Sequence, residues 1–358
     1  MKSVIIATQC YSPAIGGIEY LMGLIADTMH RNGYLVTVLA DGAKSVDGDI
    51  EVIRFGQFKW LRRFSKRRTL KYLLTHQTID LVIFDTWKSA EYLADLVDKP
   101  TVKWVFAHGN ELLAKSKRGF ESRVTRALST VDQVIAVSTL SRSLVRPYLH
   151  HDVPASVIHN PVNVPTKWLS SPKVGPIQQW VTVARLEPRK GIDRVIKSLT
   201  VLLQDYPNLH YTIVGSGPDE KRLRQLSMAY NVAENISFLG QVSAAEKYEV
   251  LNNSDVFIMP TRVEKESRSI EGLGIAFIEA MAVGLPVIAG SAGGICDIIE
   301  HGENGWLCDG TSESAVIDCI QQVMMNEEET HRVATNGQSL VINTLMPNSY
   351  IKKLNHLF

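Results

Sequence analysis

Two carboxylates eight residues apart, Glu271 and Glu279, bracket a run of glycine and apolar residues, EGLGIAFIE. Gly272 and Gly274 leave backbone N–H groups open to close approach by a ligand. The run IAFIEAMA is helix-like, and a helix opening near Ile275 aims its first amides, the positive end of its dipole, at an anion. A carboxylate beside an anion site is not there for the anion. It suits the hydroxyls of a ligand that carries both phosphate and sugar. The plain alternative is a helix cap at Glu271 and a solvated face at Glu279. It fits poorly, because Glu279 lies inside an apolar run and VGLPVIAG after it reads as a buried strand.

A second group of charges sits in VARLEPRKGID. Arg185 and Lys190 follow a strand-like run, and two cations at a strand's C-terminal end can clamp a diphosphate and neutralise charge growing on a leaving group. Arg189, between them, is expected on the surface. The loop SPAIGGIE (12–19) joins a first strand to a first helix, and Gly16 and Gly17 would let amides approach a phosphate. His108 ends another strand-like run and precedes Gly109, Asn110 and Glu111. Asp47-Gly48-Asp49 has the form of a metal-binding DxD, but Asp-Gly between two strands is an ordinary turn signal. No metal is expected there.

These residues need a frame that gathers strand ends. In the first half, apolar runs at 4–8, 35–40, 51–55, 80–85, 101–108, 133–138 and 155–160 alternate with helix-length segments such as 18–31 and 88–97. Residues 167–179, KWLSSPKVGPIQQ, read as a linker. Strands at 180–184, 210–215, 236–240, 256–260 and 286–290 then alternate with helices near 191–205, 218–230, 244–252 and 312–325. Near-continuous apolar strands separated by helices argue parallel sheets covered on both faces. Two doubly wound α/β domains follow, with ligands at the carboxyl ends of the strands.

The strings together resemble the retaining glycosyltransferases of family 4, which have the GT-B fold: two Rossmann-like doubly wound domains facing across a cleft. The resemblance runs from GGIE through HGNE, RLEPRKG, VGSGP and EGLGIAFIEAM to GGICDIIEHGENGWL. It implies an N-terminal acceptor-binding domain over 1–166 and a nucleotide-sugar-binding domain over 167–342. It also implies that 343–358 packs back on the first. The donor is a nucleoside diphosphate sugar. The resemblance assigns Glu279 to the ribose, and Glu271 with the Gly272, Leu273, Gly274 and Ile275 amides to the sugar. Arg185, Lys190 and the Gly16–Gly17 loop go to the diphosphate, and His108 lies beside the anomeric carbon. Gly215, in VGSGP, matches the family's glycine turn near the nucleotide, and Val242 the place where backbone holds the base. Glu19 is implied for the acceptor; Asn110 and Glu111 are acceptor candidates whose roles stay open, because HGNE stands where many relatives have HD-x-E. The segment TRVEKESRSIEGLG resembles members that use GDP-mannose, with UDP-sugars open. No cofactor or metal is implied. A nucleotide-sugar epimerase, a non-catalytic nucleotide-sugar-binding partner and a nicotinamide dehydrogenase are the competing readings.

Composition sets the outer bounds. The chain has 358 residues, 45% hydrophobic and 21% charged, which describes two ordinary globular domains. No apolar stretch approaches the roughly 20 residues that span a bilayer. The four cysteines, Cys10, Cys296, Cys308 and Cys319, lack metal-ligand spacing and fit reduced thiols in the cytoplasm. Up to residue 165 there are 21 Lys and Arg against 15 Asp and Glu; after it, 17 against 22. The basic excess concentrates in KWLRRFSKRRTLKY (59–72) and KSKRGFESRVTR (115–126), where aromatic and apolar residues interleave with the charges. Such stretches suit peripheral contact with an anionic membrane face better than nucleic acid, since no nucleic-acid fold accompanies them.

Overall fold

In the computed structural model every long apolar run of the first half becomes a strand. The structure describes residues 2–12, 16–42, 49–56, 58–113, 119–264 and 269–358. Asp47, Gly48 and 115–118 therefore lie outside the described residues. The chain divides into two compact units, residues 1–161 with 347–358, and residues 162–346.

The first unit runs β1 (Ser3–Thr8), α1 (Gly17–Arg31), β2 (Leu35–Asp41), β3 (Glu51–Phe55), α2 (Lys59–His76), β4 (Leu81–Phe84), α3 (Trp87–Leu93), β5 (Val102–Ala107), α4 (Phe120–Leu128), β6 (Gln133–Ala136), α5 (Thr139–Val145) and β7 (Ala155–Val157). The second runs β8 (Gln179–Val183), α6 (Ile192–Leu202), β9 (His210–Val214), α7 (Glu220–Ala229), β10 (Ile236–Gly240), α8 (Ala244–Asn253), β11 (Val256–Met259), α9 (Ile275–Ala282), β12 (Val287–Gly290), β13 (Trp306–Cys308), α10 (Glu313–Met325) and α11 (Glu327–Thr344). The final helix, α12 (Pro347–Asn355), belongs to the first unit and packs on α1.

Both sheets are wholly parallel. Their strand orders are β3-β2-β1-β4-β5-β6-β7 and β10-β9-β8-β11-β12-β13. Parallel strands need crossovers, and the crossover helices bury both faces of each sheet. That is why Val4, Ile5, Ile6 and Ala7 are all without solvent contact, as are Phe257, Ile258 and Met259. In each unit the order reverses once, between β1 and β4 and between β8 and β11. Loops leaving the carboxyl ends of these neighbours diverge to opposite faces and leave a crevice, the usual ligand position in doubly wound sheets.

The stretch read as a linker, 167–179, is laid along the second unit. Ser170 Oγ donates to Asn252 Oδ1 and to the Val283 carbonyl, and Lys173 Nζ donates to the Ser254 carbonyl. Its Pro and Ser residues reflect a path without regular structure, not freedom from the domain.

The basic stretch at 59–72 is helix α2, and it is not a uniform solvated face. Leu70, Leu73 and Lys66 are buried. Lys66 Nζ lies 2.5 Å from Asp41 Oδ1 and donates to the Thr8 carbonyl at 2.8 Å. Arg62 pairs with Asp41 at 3.0 Å and Arg67 with Asp95 at 2.7 Å. Phe58, Trp60, Leu61, Phe64 and Tyr72 are exposed. Of the second basic stretch, Arg123 is taken up by Glu91 at 2.5 and 2.7 Å. Among the described residues no helix is long and apolar enough to cross a membrane.

Candidate active site

In the second unit the two strands flanking the reversal each send out a charged loop. The loop after β8 carries Arg185, Glu187, Arg189 and Lys190; the loop after β11 carries Arg262, Glu264 and Glu271. The loops are tied together. The Arg262 amide donates to the Arg189 carbonyl at 2.9 Å. Arg189 Nη1 and Lys190 Nζ converge on one oxygen of Glu271, Oε2, each at 2.5 Å. The ties continue outward, with Arg189 Nε at 2.8 Å from Glu187 Oε2 and Arg185 Nε at 3.2 Å from Glu187 Oε1.

Lys190, Arg189 and Glu271 are nearly buried, whereas the Arg185 side chain is 72% exposed. Arg189 thus departs from the expectation of a surface cation: only 12% of its side chain is accessible. Its pairing with Glu271 was invisible in the spacing because the two are 82 residues apart. Burial alone would raise the Glu271 pKa. Lys190 and Arg189 more than offset it, so the carboxyl is held below its usual value.

Backbone packs closely on backbone at these strand ends. A Cβ at Gly215 would stand 1.9 Å from the Ala184 carbonyl oxygen, and one at Gly191 2.1 Å from that of Pro260. Gly293, with φ +100°, lies against Glu271: a Cβ there would meet the Glu271 carbonyl oxygen at 2.7 Å. The Gly294 amide donates to that same oxygen at 2.9 Å. The Glu271 backbone is pinned while its carboxylate reaches the cations. The sequence reading passed over Gly293 as a site residue, although the Gly-Gly pair itself was in view.

Helix α9 opens at Ile275 behind Gly274, whose φ of +84° is left-handed. Gly272, Leu273 and Gly274 bring the chain from Glu271 to the helix start, with Leu273 buried. One turn further on, Glu279 is buried and belongs to a different cluster. Lys247 Nζ lies 2.6 Å from its Oε1, and the Tyr248 hydroxyl 3.1 Å from the same atom. Both partners come from α8, whose start is fixed by a capping box between Ser243 and Glu246. The Gly215 amide donates to the Gly240 carbonyl at 2.7 Å, which joins the turns after β9 and β10 and places Val242 just beyond them.

The first unit repeats the arrangement at its own reversal. Asp85, which follows β4, accepts from the Gln9 amide at 2.7 Å and from Thr8 Oγ1 at 2.9 Å. The His108 ring Nε2 lies 2.9 Å from the Asp85 carbonyl oxygen, and the His108 amide donates to Glu111 Oε1 at 2.8 Å. Glu111 is buried and its Oε2 has no partner; Asn110 is exposed. Gly16 and Gly17 are exposed at the start of α1, and the Glu19 carboxylate folds back over Gly16. Cys10 lies in the same loop region, and burial together with Glu19 and Asp85 pushes its thiol up to about 12. It stays protonated at neutral pH. Among the described residues, three side chains of types that can bind a metal, His150, His151 and Asp152, meet in one exposed group.

Residues 15–165 match the model of Glycosyltransferase Family 4, and residues 173–340 that of Glycosyl transferases group 1. A GDP-mannose-dependent monoacylated alpha-(1-6)-phosphatidylinositol monomannoside mannosyltransferase of Corynebacterium glutamicum is 30% identical over 82% of this chain and 81% of its own. The GDP-mannose-dependent alpha-(1-6)-phosphatidylinositol monomannoside mannosyltransferase of Mycobacterium tuberculosis is 27% identical over 95% of this chain and 94% of its own. Among solved structures, Anabaena HepE in complex with UDP aligns over 100% of this chain and 99% of its own, with a TM-score of 0.82 and 21% identity. The two doubly wound units are those of a GT-B glycosyltransferase. The chain belongs to glycosyltransferase family 4, and it is a hexosyltransferase that uses a nucleotide-sugar donor.

Proposed function

We propose that this enzyme moves mannose from GDP-mannose to a hydroxyl of a glycolipid acceptor, with retention at the anomeric carbon. The observation that carries the reading is the Arg189–Lys190–Glu271 cluster at the strand-order reversal, next to the start of α9. Lys190 and Arg185 are assigned to the leaving diphosphate. Their charge counts most in the transition state, as negative charge grows on that group, and this is what makes it catalytic. Glu271 and the amides from Gly272 to Ile275 are assigned to the sugar hydroxyls, and Glu279 to the ribose. His108 is assigned to the anomeric centre; Glu19, Asn110 and Glu111 to the acceptor. The bond from the anomeric carbon to the diphosphate oxygen breaks, a bond to the acceptor oxygen forms, and the acceptor proton passes to a phosphate oxygen.

GDP-mannose is favoured over UDP-sugars by the two mannosyltransferase relatives. A glycolipid acceptor is favoured by the same relatives and by α2. There Trp60 is 72% exposed beside exposed Phe58, Leu61 and Phe64, with Lys59, Arg68 and Lys71 around them. Exposed aromatic and basic side chains on one helix suit the interface of an anionic bilayer. The test is transfer of labelled sugar from GDP-mannose, UDP-glucose and UDP-galactose into an organic-extractable lipid product. Label entering lipid only from a UDP-sugar would overturn the donor assignment. Conversion of donor without any acceptor would favour an epimerase.

A further inference from the structure

The Glu271 carboxylate holds two cations at hydrogen-bond distance through a single oxygen, in a position where little water can compete. Three cations (Arg185, Arg189, Lys190) and two carboxylates (Glu187, Glu271) make up the cluster. With Glu271 in place, Arg189 and Lys190 are charge-satisfied and present little field to an incoming anion. We infer that Glu271 is an internal stand-in for the donor's diphosphate, and that Arg189, together with Lys190, is a phosphate-binding cation held in reserve by it.

The inference rests on the proposed function and deepens it. A nucleoside diphosphate alone must displace the carboxylate from both cations and offers it nothing in exchange. A nucleoside diphosphate sugar offers hydroxyl donors to the displaced carboxylate, so the cations are released to the phosphates at lower cost. The exchange needs only side-chain motion. The Glu271 backbone is fixed by the Gly294 amide and crowded by Gly293, leaving the outer torsions to swing the carboxylate. Selectivity for the sugar-bearing form then comes from the carboxylate's change of partners as well as from direct sugar contacts. The Glu187 carboxylate, on Arg189 Nε, keeps the guanidinium oriented during the exchange.

The test is calorimetric binding of GDP and UDP, and of the matching sugar nucleotide, to the full chain and to Glu271→Gln. Removing the internal carboxylate charge should tighten binding of the bare diphosphate by at least about five-fold, the scale of one charge-assisted hydrogen bond. It should also shrink the advantage of sugar nucleotide over bare diphosphate. Unchanged or weaker diphosphate binding in a folded Glu271→Gln protein overturns the inference. Arg189→Gln and Arg189→Lys give a second reading that does not depend on that variant folding. Gln should weaken diphosphate binding by about ten-fold and Lys restore most of it. Normal binding in Arg189→Gln also overturns the inference. If the unaltered protein binds neither the diphosphates nor the sugar nucleotides, the proposed function fails with it; if it binds one and the variants do not respond as stated, only the stand-in role fails.

Discussion

Lys247 Nζ and Glu279 Oε1 lie 2.6 Å apart, joining α8 to the buried inner face of α9. The pair sets a cation against a buried carboxylate that would be expensive in isolation. It also fixes which way its oxygens face. If Glu279 accepts ribose hydroxyls, the contact is the same in ground and transition states. Glu279→Gln should therefore raise the donor KM by about ten-fold with kcat changed less than about three-fold. Steady-state kinetics with varied donor separates the two parameters, and a fall in kcat of the same size as the rise in KM would exclude a purely binding role.

Lys190 and Arg185 are separated by burial. Lys190 is enclosed against Glu271, whereas Arg185 reaches into solvent beyond Glu187. Lys190→Ala should lower kcat by at least about 100-fold, the scale of losing one charge-stabilising donor. The same change leaves Glu271 with Arg189 alone and should cost folding stability as well, about 1–3 kcal/mol for a weakened buried partner. Arg185→Ala should lower kcat with no measurable change in melting temperature, because an exposed pair contributes little to folding. A loss of stability in Arg185→Ala with normal turnover would reverse the two assignments.

Much of this was legible in the chain, and the illegible part has two causes. The strands at 4–8, 35–40, 80–85 and 256–260 were readable because parallel strands buried on both faces are continuous apolar runs. The start of α9 at Ile275 was readable from Gly274. β13 was missed because its three residues, Trp306–Cys308, are too few to show a period. Arg189, Lys247 and Gly293 were missed as site residues because their significance lies in partners 82, 32 and 22 residues away. Local spacing carries no information about such pairings. Lys66 shows the converse: the basic run read as a membrane-facing stretch, yet its register with Leu70 and Leu73 turns Lys66 inward.

Lys66 gives a prediction about pH. Burial lowers its pKa, and Asp41 offsets this only in part. The unfolded chain therefore keeps this proton over a range where the folded chain has begun to release it. Stability contributed by the site should rise as pH climbs from the lowered folded value toward the ordinary lysine value near about 10.4. Lys66→Met removes that dependence. The stability difference, unaltered protein minus variant, should move in favour of the unaltered protein as pH rises toward the ordinary lysine value, read by urea unfolding. A difference that is flat or falls with pH would show that the folded pKa is not lowered.

Gly293 supports Glu271 by having no side chain. Gly293→Ala would add a methyl 2.7 Å from the Glu271 carbonyl oxygen at a φ of +100°. Gly302 is a matched control: its φ is +76°, but a Cβ there meets nothing within 4 Å, and it lies at the amino end of β13. Gly302→Ala should lose about 1–2 kcal/mol for the left-handed backbone, and Gly293→Ala more, because its methyl also meets the Glu271 backbone. Only Gly293→Ala should lose turnover, by at least about ten-fold, because it moves Glu271. Equal activity in the two folded variants would detach Gly293 from the site.

The exposed aromatics of α2 make the membrane reading testable without touching the core. Phe58, Trp60 and Phe64 are among the most exposed large apolar side chains described, while the opposite face is anchored by Lys66, Leu70 and Leu73. Trp60→Ser with Phe64→Ser should therefore leave folding intact, since neither side chain is buried. The unaltered protein should co-sediment with vesicles containing anionic phospholipid, and less with zwitterionic ones, because Lys59, Arg68 and Lys71 add about 1 kcal/mol each near such a surface. The double variant should bind the anionic vesicles at least about ten-fold more weakly, while turnover on a short water-soluble acceptor stays the same. Salt should weaken what binding remains, since charge alone is left to hold it. Binding that ignores both lipid charge and the two aromatics would mean that α2 does not meet the bilayer, and the acceptor would then have to reach the enzyme by another surface.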